Sequence, residues 1–238
     1  MDARARSRYI EGLRTGRWFA GLPEALQHGL LGAAVVRALV PGERLFSRGD
    51  PPDGLYAAVD GSIRVTGVTD TGKEVLLALV EPPGWFGEIS VFDGSPRTHD
   101  ATAQSAATVL RVPPVALEAL LDAQPRAWRD LGLLLAAKLR LTFAALEDAV
   151  GLPLAVRLAR RLLVTAGAHG EWSDRSRRIV ELRQEQLATM LGSSRQTVNS
   201  VLKDYEARGL LRVAYGQIEI LDLEGLRRVA APDAQAGT

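Results

Sequence analysis

Residues 183–211 read RQEQLATMLGSSRQTVNSVLKDYEARGLL, and this stretch says most about the fold. A short helix is predicted over about 184–190, followed by a turn through 191–193 in which Gly192 supplies the conformational freedom. A second helix is predicted over about 194–207. Two short helices joined by a glycine-containing turn of this length indicate a helix-turn-helix.

The second helix of this pair has one apolar and one polar face. The apolar positions follow the i, i+3, i+4, i+7 rule and are Val198, Val201, Leu202 and Tyr205. The opposite face holds the hydrogen-bonding side chains Arg195, Gln196, Asn199, Ser200 and Lys203. Arginine suits guanine O6 and N7, and glutamine or asparagine suits adenine N6 and N7, so this face suits the DNA major groove. An ordinary solvated helix face is the alternative interpretation.

The residues that follow the second helix favour the DNA interpretation. The segment RGLLRVAYGQIEILD, residues 208–222, predicts two short strands over 211–214 and 217–221, joined at Tyr215-Gly216. This is the pattern of a wing, so we predict a winged helix-turn-helix that binds double-stranded DNA. The residues expected to contact DNA are Ser194, Arg195, Gln196, Thr197, Asn199, Ser200 and Lys203.

Residues 37–112 have a different pattern, of short strands separated by turns. The segments ERLFSRGD, GLYAAVDGSIRVTGV, TGKEVLLALV and ATVLRVP are separated by Gly or Asp-Gly at intervals of about ten residues. This spacing predicts an antiparallel β-barrel or sandwich. Such short, evenly spaced strands do not fit βαβ units, and no glycine fingerprint opens a helix after a strand, which disfavours a dinucleotide-binding fold.

A long helix is predicted between these two regions, over 127–150, where no proline interrupts the helical period. Steps of four and three residues form a heptad seam that indicates pairing with a second copy through residues 128–149. The members of this seam are Trp128, Gly132, Leu135, Leu139, Thr142, Leu146 and Ala149. A second apolar flank, predicted to pack on the barrel, consists of Leu131, Leu134 and Leu141.

Thr142 is the polar member of the seam. One interpretation is that it sets the register of a dimer interface, as single polar seam residues do. The other is that its hydroxyl contacts a ligand at the mouth of the barrel, and both can hold together. The segment VGLP, residues 150–153, then interrupts the helix, and Pro153 opens the next one.

The segment WFGEISVFDGSPRTHDATAQ, residues 85–104, places the carboxylate of Glu88 at the start of an apolar run and the guanidinium of Arg97 after it. Glu88 and Arg97 are nine residues apart, and the turn-rich Phe-Asp-Gly-Ser-Pro between them folds the chain back. Two interpretations follow. Either the two side chains pair directly with each other, or an anionic ligand lies between them.

A β-roll with this Gly-Glu…Arg-Thr cassette, one long dimerisation helix and a C-terminal winged helix, in that order, resembles the cyclic AMP receptor protein / fumarate-nitrate regulator (CRP/FNR) family of bacterial transcription factors. The resemblance extends from about Leu22 to Leu226. It implies an α+β chain with an antiparallel β-roll sensor domain over 1–126, a dimerisation helix and hinge over 127–150, and a winged helix-turn-helix over 151–238.

The resemblance also implies a ligand and partners. In the family the cassette holds a cyclic nucleotide, so Arg97 and Thr98 are expected to bind the cyclic phosphate and Glu88 the ribose 2′-hydroxyl. Thr142 matches a threonine that contacts adenine, which favours cyclic AMP over the alternatives, cyclic GMP or no nucleotide. The expected ligand contacts are Gly87, Glu88, Ile89, Arg97, Thr98 and Thr142. Implied partners are an operator DNA, a second copy of the chain and RNA polymerase.

Composition disfavours several other classes of protein. The chain contains no cysteine, which excludes disulfides and thiolate-bound metal or iron–sulfur sites. His28, His99 and His169 lack metal-ligand spacing, and no catalytic set can be assembled from them, so we do not expect an enzyme. No apolar run is long enough for a membrane span or a secretion signal, and a cytoplasmic protein is expected.

Two further features are the distribution of charge along the chain and the pattern of its first 20 residues. Residues 151–238 contain 13 Lys and Arg against 10 Asp and Glu, whereas residues 1–150 contain 16 against 18. The basic excess therefore lies in the half predicted to bind DNA. The first 20 residues are either a helix packed on the roll or a loose arm.

Overall fold

The computed structural model describes residues 3–167 and 179–231 of the 238-residue chain, so His169 lies outside the described residues. The described chain divides into two compact units that meet in sequence between Arg140 and Leu141, within one long helix. The sequence places its domain boundaries at the two ends of that helix, whereas the compact units divide the helix between them.

The first unit is built from a β-roll and the helices around it. Its strands are β1 (Val35–Leu39), β2 (Arg44–Phe46), β3 (Leu55–Asp60), β4 (Ile63–Val68), β5 (Glu74–Val80), β6 (Trp85–Phe86), β7 (Asp100–Ala103) and β8 (Ala107–Val112). Its helices are α1 (Ala3–Leu13), α2 (Arg17–Ala20), α3 (Glu24–Ala33), α4 (Ile89–Asp93), α5 (Pro114–Ala123) and the first part of α6 (Arg126–Gly151).

The described strands of this unit form two four-stranded antiparallel sheets with the orders β1-β8-β3-β6 and β2-β7-β4-β5. Both sheets contribute to one buried cluster, which includes Phe46, Tyr56, Ile63 and Phe86. The predicted antiparallel roll is therefore confirmed. The sequence did not separate β6 and β7, two short strands of two and four residues that flank the cassette.

The turn between β3 and β4 shows why glycine is needed between these strands. Gly61 has φ +67°, and a Cβ atom there would lie 2.1 Å from the carbonyl oxygen of Ala106. Any other residue would meet both a strained backbone and a clash with the neighbouring strand.

Helices cover the outer face of the sheet that contains β3 and β8. Their core includes Ile10 and Leu13 of α1, Phe19 of α2 and Trp85 of β6. The indole of Trp85 stacks on Phe19 with ring centroids 5.5 Å apart. Of the two alternatives for the first 20 residues, the described part of this segment therefore forms packed helices.

Helix α6 contains 26 residues, so it is about 39 Å long. At its start, Leu131 and Leu134 are buried in the core of the first unit, as predicted for the second apolar flank. Leu141, the third predicted member of that flank, is only half-buried and belongs to the second unit, so the prediction was wrong for this residue. Farther along, the seam residues Leu139 and Leu146 are 50% and 60% exposed in the single chain. The described part of the chain contains no helix long and apolar enough to cross a membrane.

The second unit contains the end of α6 and the C-terminal elements. These elements are α7 (Leu154–Ala166), β9 (Ile179–Val180), α8 (Gln184–Met190), α9 (Arg195–Ala207), β10 (Leu211–Ala214), β11 (Gln217–Ile220) and α10 (Leu223–Ala230). The described strands form an antiparallel sheet in the order β10-β11-β9. Helices α8 and α9 and the hairpin of β10 and β11 match the predicted helix-turn-helix and wing within one residue. The winged helix is therefore confirmed.

Candidate functional site

Arg97 is the buried centre of the cassette in the first unit. Its side chain is 2% exposed, and it follows the turn after α4. Nη1 donates to the carbonyl oxygen of Gly87 at 2.9 Å, and Nη2 donates at 2.6 Å to both the carbonyl oxygen of Gly54 and Oδ1 of Asp53. Arg97 therefore binds two backbone carbonyls and one carboxylate.

The guanidinium of Arg97 also lies beside two aromatic rings. Its Cζ atom is 4.5 Å from the ring centroid of Phe46 and 5.6 Å from that of Tyr56, within cation–π range. Three of its five N–H donors are bonded, whereas Nε is buried and has no acceptor among the described residues. A buried donor without an acceptor costs about 1–3 kcal/mol, which an added oxygen acceptor would recover.

Asp53, which the sequence did not single out, is the acid that Arg97 binds. Its carboxylate also accepts from the hydroxyl of Tyr56 and lies 3.7 Å from Nη1 of Arg111. Burial by itself would raise the pKa of Asp53, but the hydrogen bonds from Tyr56 and Arg97 outweigh it and hold the pKa below its ordinary value. The carboxylate is therefore charged at neutral pH.

Glu88 pairs with a different cation. Its side chain is 4% exposed, and Oε2 accepts from Nζ of Lys138 at 2.8 Å. The same ammonium donates to the carbonyl oxygen of Trp85 at 2.7 Å, so α6 is bonded to the chain on both sides of Gly87. The first interpretation, that Glu88 and Arg97 pair with each other, is therefore wrong, because each has another charged partner. Lys138 was missed because it lies 50 residues away in the sequence.

Gly87 lies next to both Arg97 and Glu88, and its backbone conformation favours glycine. Its φ is +88°, and a Cβ atom would lie 2.8 Å from Nη1 of Arg97. A side chain here would displace the guanidinium from the carbonyl that it binds. Gly87 therefore brings the main chain close to Arg97 and places Glu88 next to it.

The other predicted ligand contacts in the first unit lie at the surface of the cassette. Ile89 is 38% exposed at the start of α4. Thr98 is exposed, and its hydroxyl is 2.9 Å from Nδ1 of His99, whose pKa is lowered by burial and by the charge of Arg48. Helix α4 has only five residues, so its dipole would add little to the attraction of an anion near its start.

Thr142 lies on α6 in the second unit, four residues after Lys138. Its side chain is exposed in the single chain. Its contact with adenine stays a prediction.

The recognition face of α9 is formed as predicted. Val198, Leu202 and Tyr205 are buried, and Val201 is partly buried. The residues on the opposite side that are exposed are Arg195, Gln196, Ser200 and Lys203, with Asn199 half-buried. Ser194 and Thr197 have a local function as well, because the Ser194 hydroxyl caps the helix by accepting from the Thr197 N–H at 3.0 Å.

Helix α7 fixes the position of α9 within the second unit. The hydroxyl of Tyr205 donates to the carbonyl oxygen of Ala155, and Nη1 of Arg157 donates to that of Leu191, in the turn between α8 and α9, at 3.1 Å. Burial raises the pKa of Tyr205 to about 12, so its hydroxyl keeps its proton. The recognition helix is held at the turn that precedes it and near its C-terminal end.

Two family models match the chain in the order of these units. Residues 36–124 match the cyclic nucleotide-binding domain, and residues 156–229 match the Crp-like helix-turn-helix domain. The first range contains Asp53 and the whole cassette, and the second contains α8, α9 and the wing.

Characterised relatives give the same assignment. The CRP-like cAMP-activated global transcriptional regulator of Mycobacterium tuberculosis is 33% identical over 204 residues, covering 83% of this chain and 91% of that protein. The transcriptional regulator SdrP of Thermus thermophilus is 30% identical over 185 residues, covering 78% and 88%. A solved CRP-family transcriptional regulator, also from Thermus thermophilus, has a TM-score of 0.65 at 28% identity, covering 84% and 100%.

The chain belongs to the CRP/FNR family of transcription regulators. It is a CRP-family transcription regulator with a cyclic nucleotide-binding domain and a DNA-binding helix-turn-helix domain, and members of this family are regulators rather than enzymes.

Proposed function

We propose that this regulator is a homodimer that binds cyclic AMP in its β-roll and thereby controls its binding to operator DNA. The observation that best supports a nucleotide is Arg97, a fully buried arginine whose Nε has no acceptor among the described residues. The cyclic phosphate would provide such an acceptor, and a charge-assisted bond to it is stronger than a neutral one.

Each cassette residue has a role in this proposal. Arg97 donates to the cyclic phosphate, with Thr98 adding its hydroxyl and N–H. Glu88 keeps one oxygen on Lys138 and accepts from the ribose 2′-hydroxyl with the other. Gly87 and Ile89 line the site with their backbone, and Thr142 contacts the adenine.

The exposed seam of α6 supports the homodimer. Leu139, Phe143, Leu146 and Val150 are each at least half exposed in the single chain, within three turns of one helix. Leu139 and Leu146 are predicted seam positions, and a heptad stripe of this kind is buried when two helices pair. The proposed interface is the predicted seam, 128–149, with Thr142 as its polar member.

The polar face of α9 supports operator recognition. Arg195, Gln196, Asn199, Ser200 and Lys203 would contact base edges or phosphates, and Ser194 and Thr197 would contact the backbone at the helix start. In a twofold dimer, two such helices enter successive major grooves when they are about 34 Å apart. RNA polymerase is a further partner that the resemblance implies.

Coupling between the two sites is reciprocal in this proposal. If the nucleotide strengthens operator binding by some factor, the operator must strengthen nucleotide binding by the same factor. The M. tuberculosis relative is described as cAMP-activated, which supports a nucleotide that increases DNA affinity.

A second candidate is a regulator that binds DNA without a nucleotide or responds to another small effector. It is favoured by the two protein ion pairs, because Arg97 and Glu88 already have Asp53 and Lys138 as partners. In this case the cassette would be a structural element of the roll.

Calorimetry of the full chain with cyclic AMP and cyclic GMP tests the first part of the proposal. We expect cyclic AMP to bind more tightly, and Arg97→Ala to weaken binding by about 1.5–3 kcal/mol, the value of a hydrogen bond to a charged group. Arg64→Ala, which removes a surface arginine paired with Glu74 on the same roll, serves as the control. Absence of binding heat for both nucleotides would overturn nucleotide control.

Selection of operators from random duplex DNA, with and without cyclic AMP, tests the second part. We expect selected sites to bind more tightly when the nucleotide is present. Equal affinity under both conditions would support the second candidate instead.

A further inference from the structure

Asp53 is at the centre of a cluster that the family assignment does not explain. One of its oxygens accepts from Arg97 at 2.6 Å, and the other accepts from Tyr56 and lies 3.7 Å from Arg111. These partners come from separate places in the roll, Tyr56 from β3, Arg111 from β8 and Arg97 from the loop before β7. A single carboxylate therefore contacts two guanidinium groups beside the proposed phosphate position.

The charges of the ion-paired groups in and around the cassette do not sum to zero. Arg97, Arg111 and Lys138 are positive, and Asp53 and Glu88 are negative, which leaves one positive charge. Tyr56 does not change this count because burial and the neighbouring Asp53 keep it protonated by raising its pKa. A cyclic phosphodiester carries one negative charge and would neutralise the group.

We propose that Asp53 sets the charge selectivity of the nucleotide site, so that a singly charged cyclic phosphate is accepted and a doubly charged phosphate monoester is rejected. This inference rests on the proposed function. Its physical basis is that a dianion would leave one uncompensated negative charge beside the 2%-exposed Arg97, and buried unpaired charge is costly. Without Asp53 the group would have two positive charges and would match a dianion.

The substitution Asp53→Asn tests this effect with little change in shape. The asparagine amide oxygen can still accept from Nη2 of Arg97, and the carbonyls of Gly54 and Gly87 continue to hold the guanidinium. The variant therefore removes the charge while leaving Arg97 in place. Asp70→Asn, at an exposed position in the turn between β4 and β5, removes the same charge from the surface of the roll.

The measurement is the ratio of the dissociation constants of adenosine 5′-monophosphate and cyclic AMP at pH 8, by calorimetric displacement on the full chain. The monoester is a dianion at this pH because its second pKa is about 6. In Asp53→Asn, the second negative charge of the monoester is no longer repelled by a carboxylate within about 6 Å. At an effective dielectric constant of about 20, the loss of this repulsion should lower the ratio at least about tenfold. Asp70→Asn should leave the ratio within about twofold, since exposed charges are screened.

Arg111→Gln gives an independent result if the asparagine variant does not fold. Arg111 is 37% exposed at its side chain, so this substitution leaves the core intact, and it lowers the net charge of the group to zero. It should weaken cyclic AMP binding and raise the ratio severalfold, opposite to Asp53→Asn.

The outcomes separate this inference from the proposed function. A wild-type chain that binds no cyclic nucleotide would overturn both. A wild-type chain that binds cyclic AMP, with a ratio unchanged in Asp53→Asn and Arg111→Gln, would overturn charge selectivity alone. An equal change of the ratio in Asp70→Asn would do the same, because the effect would then come from the overall charge of the protein.

Discussion

The loss of Lys138 from its ion pair with Glu88 should cost more stability than the loss of the charge on Glu88. The Glu88 side chain is 4% exposed, whereas that of Lys138 is 34% exposed. Lys138→Met leaves a buried carboxylate without this cation. Glu88→Gln leaves an ammonium that can still reach water and can still donate to the carbonyl oxygen of Trp85. Removing the lysine should therefore destabilise the first unit more than neutralising the glutamate.

The expected magnitudes follow from these exposures. Removal of one partner from a buried ion pair costs about 3–5 kcal/mol, so Lys138→Met should cost about 3 kcal/mol. Glu88→Gln should cost about 1 kcal/mol, as for an exposed pair, because its amide oxygen can still accept from Lys138. The double variant should be within about 1 kcal/mol of Glu88→Gln, since no buried charge is left unpaired.

Urea unfolding followed by tryptophan fluorescence measures these differences. Of the four tryptophans in the chain, Trp18, Trp85 and Trp128 lie in the first unit, so the signal reports mainly on that unit. Lys73→Met, in an exposed turn, is the control for loss of a lysine. A loss of stability in Glu88→Gln equal to or larger than that in Lys138→Met would refute the reasoning.

Four further outcomes are expected. Leu146→Glu should convert the proposed dimer to monomers in sedimentation experiments without unfolding the chain, because this side chain is 60% exposed. Ala144→Glu, at an exposed position off the seam, should not. Arg195→Ala should weaken operator binding by about 1–3 kcal/mol in gel-shift titrations and relax preference at one base position. Ser194→Ala should lower the melting temperature of the second unit through loss of about 1 kcal/mol of capping energy. Hydrogen bonds lower the pKa of Asp53 in the folded state, so the stability that the ionised carboxylate gives the folded protein is present above about pH 4 and lost below it. The unfolding midpoints of wild type and Asp53→Asn should therefore converge in acid.

Local patterns in the sequence were sufficient to predict the helix-turn-helix and wing of the second unit. The recognition helix was predicted over 194–207 and is observed as Arg195–Ala207, with Ser194 as its cap. Its apolar period, its cap and the glycine of the preceding turn are all properties of neighbouring residues. Such signals do not depend on where the rest of the chain lies.

The ion-pair partners of Arg97 and Glu88 could not be predicted from local patterns. Asp53 is 44 residues before Arg97, and Lys138 is 50 residues after Glu88. Their contacts depend on strand order and on the position at which α6 crosses the roll, and neither has a local signal. Glu88 and Arg97 are only nine residues apart in the sequence, and for that reason the direct pair was a reasonable but wrong alternative.

The backbone carbonyls that bind Arg97 have a consequence for other members of this family. Gly54 and Gly87 hold the guanidinium through main-chain atoms, which no side-chain substitution elsewhere removes. A descendant that loses its effector-contacting groups would still gain folding energy from this arginine. The arginine alone is therefore a poor marker of which regulators have kept an effector.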